Sequence, residues 1–102
     1  MTIRVGINGF GRMGRLSLRA GFGDPELEFV AINEPHADAA TMALLLEFDS
    51  VQGHWGNACA ASGGGITVGG RELAYTMHAT PGEIPWRELG VDLVLELSLI
   101  HI

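Results

Sequence analysis

Three glycines near the start of the chain, Gly9, Gly11 and Gly14 in "VGINGFGRMGR", and one carboxylate, Glu34 in "VAINEP", have the types and spacing to do chemistry together. The glycines form G-x-G-x-x-G, and each has its own physical task. The first permits a tight turn, the second lets a pyrophosphate approach the backbone, and the third allows a helix to pack closely on a strand. The N–H groups around Gly11, Arg12 and Met13 would then point at an anion, helped by the positive end of the helix dipole. Glu34 stands 20 residues after Gly14, where a carboxylate can accept hydrogen bonds from the hydroxyls of an adenosine ribose. The chemistry implied is dinucleotide binding, and because a carboxylate there repels a 2′-phosphate, NAD is favoured over NADP. Glycine also serves wherever a backbone bends sharply. The pattern therefore has this meaning only if a strand precedes it, a helix follows it and Glu34 ends a second strand.

Those positioning elements can be read from the chain. Residues 2–8 are rich in Ile and Val and end at glycine, as a buried parallel strand does. From Gly11 to Phe22, the residues Met13, Leu16 and Ala20 recur at helical spacing until Gly21, Gly23 and Pro25 stop the pattern. "LEFVAIN", Leu27 to Asn33, reads as a second strand bounded by Pro35. A right-handed crossover should leave these two strands parallel and neighbouring. Asp38 can cap a helix over "AATMALLLEF". Leu44, Leu45 and Leu46 in succession leave that helix apolar almost all round, which fits either a covering domain or partner, or a wedge in an ordinary core. "GNACAASGGG" reads as a small-residue loop, "ITVGGRELAYTM" as a β-hairpin turning at Gly69-Gly70, and "VDLVLEL", Val91 to Leu97, as a third buried strand. The expected fold class is α/β, a partial Rossmann-type parallel sheet with flanking helices and a β-hairpin insertion.

Composition narrows the function further. The 102 residues suit one small domain, and 47% of them are apolar. The first 23 residues hold four arginines (Arg4, Arg12, Arg15, Arg19) and no acid, whereas the rest hold two arginines and twelve acids. This favours a small anion near the N-terminus and disfavours nucleic acid along the wider surface. Arg15 and Arg19, four apart, could equally form a solvated helix face. No apolar run is long enough to span a membrane and the N-terminus lacks a signal peptide's layout, so a cytoplasmic protein with no membrane partner is expected. Cys59 has no cysteine partner, and activation as a nucleophile would need a neighbouring base or cation, so it reads as a small half-buried residue. His36, His54, His78 and His101 have no ligand spacing and read as loop histidines. No catalytic residue and no metal site are expected.

"VGINGFGRMGR", "VAINEP" and "LLEFDSVQGHW" together resemble the N-terminal, NAD-binding part of the glyceraldehyde-3-phosphate dehydrogenase family, from about Ile3 to Glu96. The resemblance implies that Phe10 to Met13 line the pyrophosphate, after the turn at Gly9, and that Asn33 and Glu34 face the adenosine. It implies an enzyme, usually a homotetramer, that oxidises a sugar-phosphate aldehyde to an acyl phosphate through a cysteine thioester. Three departures qualify this. Most relatives have aspartate where this chain has Glu34, and "AINE" with "DAATMALLLEFDS" looks more like the erythrose-4-phosphate dehydrogenase branch or the members associated with arsenate resistance. Ala79 stands where many relatives place an arginine near the adenine. After "VDLVLE" the family continues with Ser or Thr and Gly, whereas "LSLIHI" follows here. Residues 1–96 are accordingly expected to be a truncated NAD-binding domain and 97–102 a non-native tail, with the catalytic cysteine segment outside the chain and the fragment inactive. The readings left open are an erythrose-4-phosphate dehydrogenase fragment, a freestanding, non-catalytic nucleotide-binding module, and a chain without a stable fold.

Overall fold

A computed structural model describes residues 2–49 and 53–97. Its elements are β1 (Ile3–Asn8), α1 (Arg12–Gly21), β2 (Leu27–Asn33), α2 (Ala39–Glu47), β3 (Phe48–Asp49), β4 (Gly53–His54), β5 (Cys59–Ser62), β6 (Gly65–Val68), β7 (Arg71–Thr76) and β8 (Leu93–Glu96). A single 3-10 turn, Pro81–Glu83, lies between β7 and β8. β3 pairs with β4 in a short ribbon, and the other six strands form one sheet in the order β5-β6-β7-β2-β1-β8.

The four strands β7-β2-β1-β8 run parallel, and β6 and β5 are added antiparallel on the β7 side. This is the Rossmann-type half-sheet expected from the β-α-β pattern. The order reverses between β1 and β8, so the crevice beyond the C-terminal end of β1 is a topological switch point, where such sheets bind ligands. β1 is apolar because it is covered on both sides: Val5 and Ile7 are buried, and the intervening Gly6 has Trp86 against it. One core cluster joins Val5, Ile7, Phe10, Leu18, Phe29, Ile32, Met42, Leu46, Ile66, Val68 and Leu73.

Four local expectations need correction. The packed face of α1 is not Met13, Leu16 and Ala20; Met13 is 61% exposed, Ala20 is also exposed, and Gly14 and Leu18 are buried. Gly14 must meet the bend before it, and that close approach rotates the inward face by one residue. The stretch "GNACAASGGG" is not all loop, since Cys59–Ser62 forms β5 and pairs with β6. The third strand is shorter than Val91 to Leu97 and is an edge strand among the described residues, with Leu93 46% exposed. Two of the N-terminal arginines also bond elsewhere in the fold. Arg4 lies at the N-terminal end of β1, bonded to the Gly90 carbonyl and 3.7 Å from Glu28. Arg19 donates to the carbonyls of Leu46 and Glu47 at the end of α2 and lies over the Trp55 ring.

Other expectations stand. The hairpin turns at Gly69 and Gly70, both with positive φ, and Asp38 caps α2 by accepting from the Thr41 N–H at 2.8 Å. Of the three leucines in α2, Leu46 is buried while Leu44 is 61% and Leu45 37% exposed. Leu97 continues the chain past β8, its N–H donating to the Asn8 carbonyl at 2.8 Å. The rest of the expected tail, including His101, lies outside the described residues.

Candidate functional site

The site is built at the C-terminal ends of β1 and β2. β1 ends at Asn8, and the chain then turns at Gly9 with φ of 95°, a conformation that a Cβ would strain. Gly11 is the N-cap of α1, which has neither a side-chain cap nor an acidic residue in its first turn. The first helical bond runs from the Arg15 N–H to the Gly11 carbonyl, so the N–H groups ahead of it have no intrahelical acceptor. They form a positive end aimed out of the bend, of the kind that suits a phosphate.

Gly11 and Gly14 differ in a way that separates fold from function. A Cβ on Gly14 would sit 2.5 Å from the Gly9 carbonyl oxygen, so that glycine is required by the protein's own packing. A Cβ on Gly11 would meet no heavy atom within 4 Å, and its φ of −74° is one that any residue adopts. Among the described residues, nothing requires glycine at position 11. An external group that approaches the backbone closely would.

Glu34 closes the other side. It is 8% exposed, its Oε1 accepts from the Phe10 N–H at 2.9 Å, and its Oε2 accepts from the His36 N–H at 2.9 Å. The carboxylate therefore stands at the mouth of the glycine bend with both oxygens oriented by backbone, and each oxygen keeps capacity for another donor. Tyr75 secures the loop after Glu34 by donating its hydroxyl to the Ala37 carbonyl at 2.6 Å. Burial, with Glu34 and Asp38 adding to it, pushes the Tyr75 phenol above its ordinary value, so it remains a donor.

The remaining expected residues take different positions. Phe10 is fully buried, with only its backbone at the bend. Arg12 and Met13 open α1, and Met13 points to solvent. Asn33 is 1% exposed, and its amide is saturated. The nitrogen donates to Asn8 Oδ1 and the His78 carbonyl, and the oxygen accepts from the Thr76 hydroxyl and the His78 N–H. An amide so engaged has no donor or acceptor left for a ligand. Asn33 acts through the strand end that it holds. No motif in the sequence marks out Asn8, Thr76 or Tyr75. The available signal was that both "GIN" and "AIN" end an apolar run with asparagine.

Cys59 lies on β5, separated from β1 by three strands. Its thiol is pushed up to about 11, first by burial and then by Glu47, whose carboxylate also accepts the Cys59 N–H. A thiol in that setting is a weak donor to the Asn57 carbonyl and a poor nucleophile. Among the described residues, no group of three or more His, Cys, Asp or Glu could hold a metal ion, and no helix is long and apolar enough to cross a membrane.

A family model described as "Glyceraldehyde 3-phosphate dehydrogenase, NAD binding domain" matches residues 3–100. The chain is 52% identical over 98 residues to glyceraldehyde-3-phosphate dehydrogenase 3 of Nostoc sp., covering 96% of this chain and 29% of the relative. It is 44% identical, with the same coverage, to glyceraldehyde-3-phosphate dehydrogenase 1 of Giardia intestinalis. It is 43% identical over 97 residues to the cytosolic glyceraldehyde-3-phosphate dehydrogenase of Gracilaria gracilis, covering 94% of this chain and 29% of that protein. The chain thus spans 29% of the length of each of these relatives.

Proposed function

Because the chain belongs to the glyceraldehyde-3-phosphate dehydrogenase family, as its NAD-binding domain, we propose that the Gly9–Gly14 bend holds the NAD pyrophosphate and Glu34 the adenosine ribose hydroxyls. NAD is the cofactor of this domain, and when bound it accepts a hydride. The observation that carries the site assignment is the meeting of Glu34 with the bend, 2.9 Å from the Phe10 N–H, beside the open space over Gly11. Gly9 makes the turn, Phe10 plugs the core beneath it, and the N–H groups of Gly11, Arg12 and Met13 face the diphosphate. Asn33 holds the end of β2 so that Glu34 projects into the crevice. We take residues 1–96 as the NAD-binding unit.

In the longer enzymes of the family this unit would present the nicotinamide to a sugar-phosphate aldehyde that is oxidised to an acyl phosphate, within a homotetramer in the cytoplasm. The cytosolic relative from Gracilaria supports that location. Erythrose 4-phosphate is the alternative substrate, favoured by the "AINE" sequence. On this reading Cys59, separated from β1 by three strands and with its thiol pushed up to about 11, is not the catalytic nucleophile.

Calorimetry of NAD binding tests the assignment. Glu34→Ala should weaken NAD by roughly 10- to 100-fold, the range for losing hydrogen bonds to a charged acceptor. Glu34→Asp should retain most of the affinity. Equal affinity for the wild type and Glu34→Ala would remove the ribose role from Glu34.

A further inference from the structure

Four side chains lie in one row across the C-terminal ends of the parallel strands. Strand register sets Thr76 beside Asn33, Asn33 beside Asn8, and Asn8 beside Glu96. The Thr76 hydroxyl donates to Asn33 Oδ1 at 2.6 Å, Asn33 Nδ2 donates to Asn8 Oδ1 at 3.0 Å, and Asn8 Nδ2 donates to Glu96 Oε2 at 2.7 Å. Every donor points the same way, because the row ends on a carboxylate, which only accepts. Asn8 and Asn33, at the centre of the row, are buried, where aligned dipoles reinforce one another, while Thr76 is half-buried and Glu96 is exposed.

The row lies one residue below both halves of the site. Gly9 follows Asn8 and starts the bend, and Glu34 follows Asn33. The two halves also touch directly, through the Gly9 N–H on the Asn33 carbonyl and the Phe10 N–H on Glu34 Oε1, each at 2.9 Å, while the pairing of β1 with β2 shifts register lower down, between Val5 and Gly6. Above that irregularity the Asn8–Asn33 amide bond ties the two strand ends directly.

We propose that the Thr76–Asn33–Asn8–Glu96 row is a spacer that sets the distance between the phosphate bend and Glu34, so that a ligand touching both depends on it and a ligand touching one does not. Asn8 and Glu96 are then positioning residues for NAD. The proposal rests on the NAD reading above.

The test compares a spanning ligand with half of it, on the full chain. NAD affinity is measured by calorimetry, adenosine affinity by amide chemical-shift titration, and folding by thermal melts, for wild type, Asn8→Ala and Glu96→Gln. Asn8→Ala should weaken NAD about tenfold, the size of one lost net hydrogen bond. Its adenosine affinity should change less than about twofold, since ribose recognition by Glu34 stays in place. Glu96→Gln keeps the size and an acceptor and loses the charge, so it should show the same asymmetry more weakly and should fold even if Asn8→Ala does not. An equal loss for both ligands, unchanged NAD affinity, or loss of cooperative melting in both variants would overturn the spacer. A folded wild-type chain that binds neither ligand would overturn the NAD reading, and the spacer with it.

Discussion

α1 and α2 begin differently. Both helices expose N–H groups and a positive dipole end at their N-termini. α2 answers them within the chain, through the Asp38 carboxylate on the Thr41 N–H. α1 begins at a glycine with no side-chain cap and no acid in its first turn, and the space around Gly11 is open. The C-terminal ends reverse the relation. α2 has no basic residue in its last turn, and Arg19 from the last turn of α1 donates to its carbonyls instead. The contrast teaches that the chain caps the N-terminus of α2 with a side chain and leaves that of α1 without one, although helix physics makes the same demand of both.

The comparison can be broken most forcefully at Gly14. Gly14→Ala should cost about 3 kcal/mol of stability, as overpacking does where only backbone can yield, because its Cβ would meet the Gly9 carbonyl at 2.5 Å. NAD binding should fall with it. A urea unfolding midpoint equal to that of the wild type would show that the bend and the helix are not in close contact.

Gly11→Ala sharpens the contrast. With open space around position 11 and an ordinary φ, the melt should be unchanged, while NAD affinity drops about tenfold or more as the methyl takes the phosphate's place. Retained affinity would mean that nothing approaches the backbone there.

Asp38→Ala gives the smallest effect and the opposite sorting. The melting temperature should fall slightly, and NAD affinity should stay the same. The Asp38 carboxyl is held below its ordinary value by the Thr41 N–H. Its stabilisation is therefore present above the ordinary carboxyl range and is lost as pH falls through the lower folded value. Wild type and variant should converge in acid. A gap that widens in acid would assign the effect to something other than the cap.

The bend, α1, β2 and Glu34 were legible because their signals are local: glycine at fixed offsets, a periodic helix, a carboxylate at the end of an apolar run. The facing of α1 was not. Apolar Met13 and Leu16 look like a core stripe, yet the contact at Gly14 decides which way the helix turns, and a glycine contributes nothing to a hydrophobic count. β5 was missed because Cys-Ala-Ala-Ser has none of the branched or aromatic residues that mark strands, and pairing with β6 overrides that propensity. The polar row escaped notice for a third reason. Asn8 and Glu96 are 88 positions apart, and only the folded sheet makes them neighbours.

That separation governs how the protein is made. β1 meets β2 across 24 or 25 positions but meets β8 only across 88. The 60 residues from Asn33 to Leu93 take roughly 3 to 12 s to synthesise at about 5–20 residues per second. During that interval one side of β1 offers free peptide groups on the ribosome, open to any extended chain nearby. Mispairing during translation is therefore centred on β1, and a chaperone that shields extended strands would have its task there until Leu93 to Glu96 emerge.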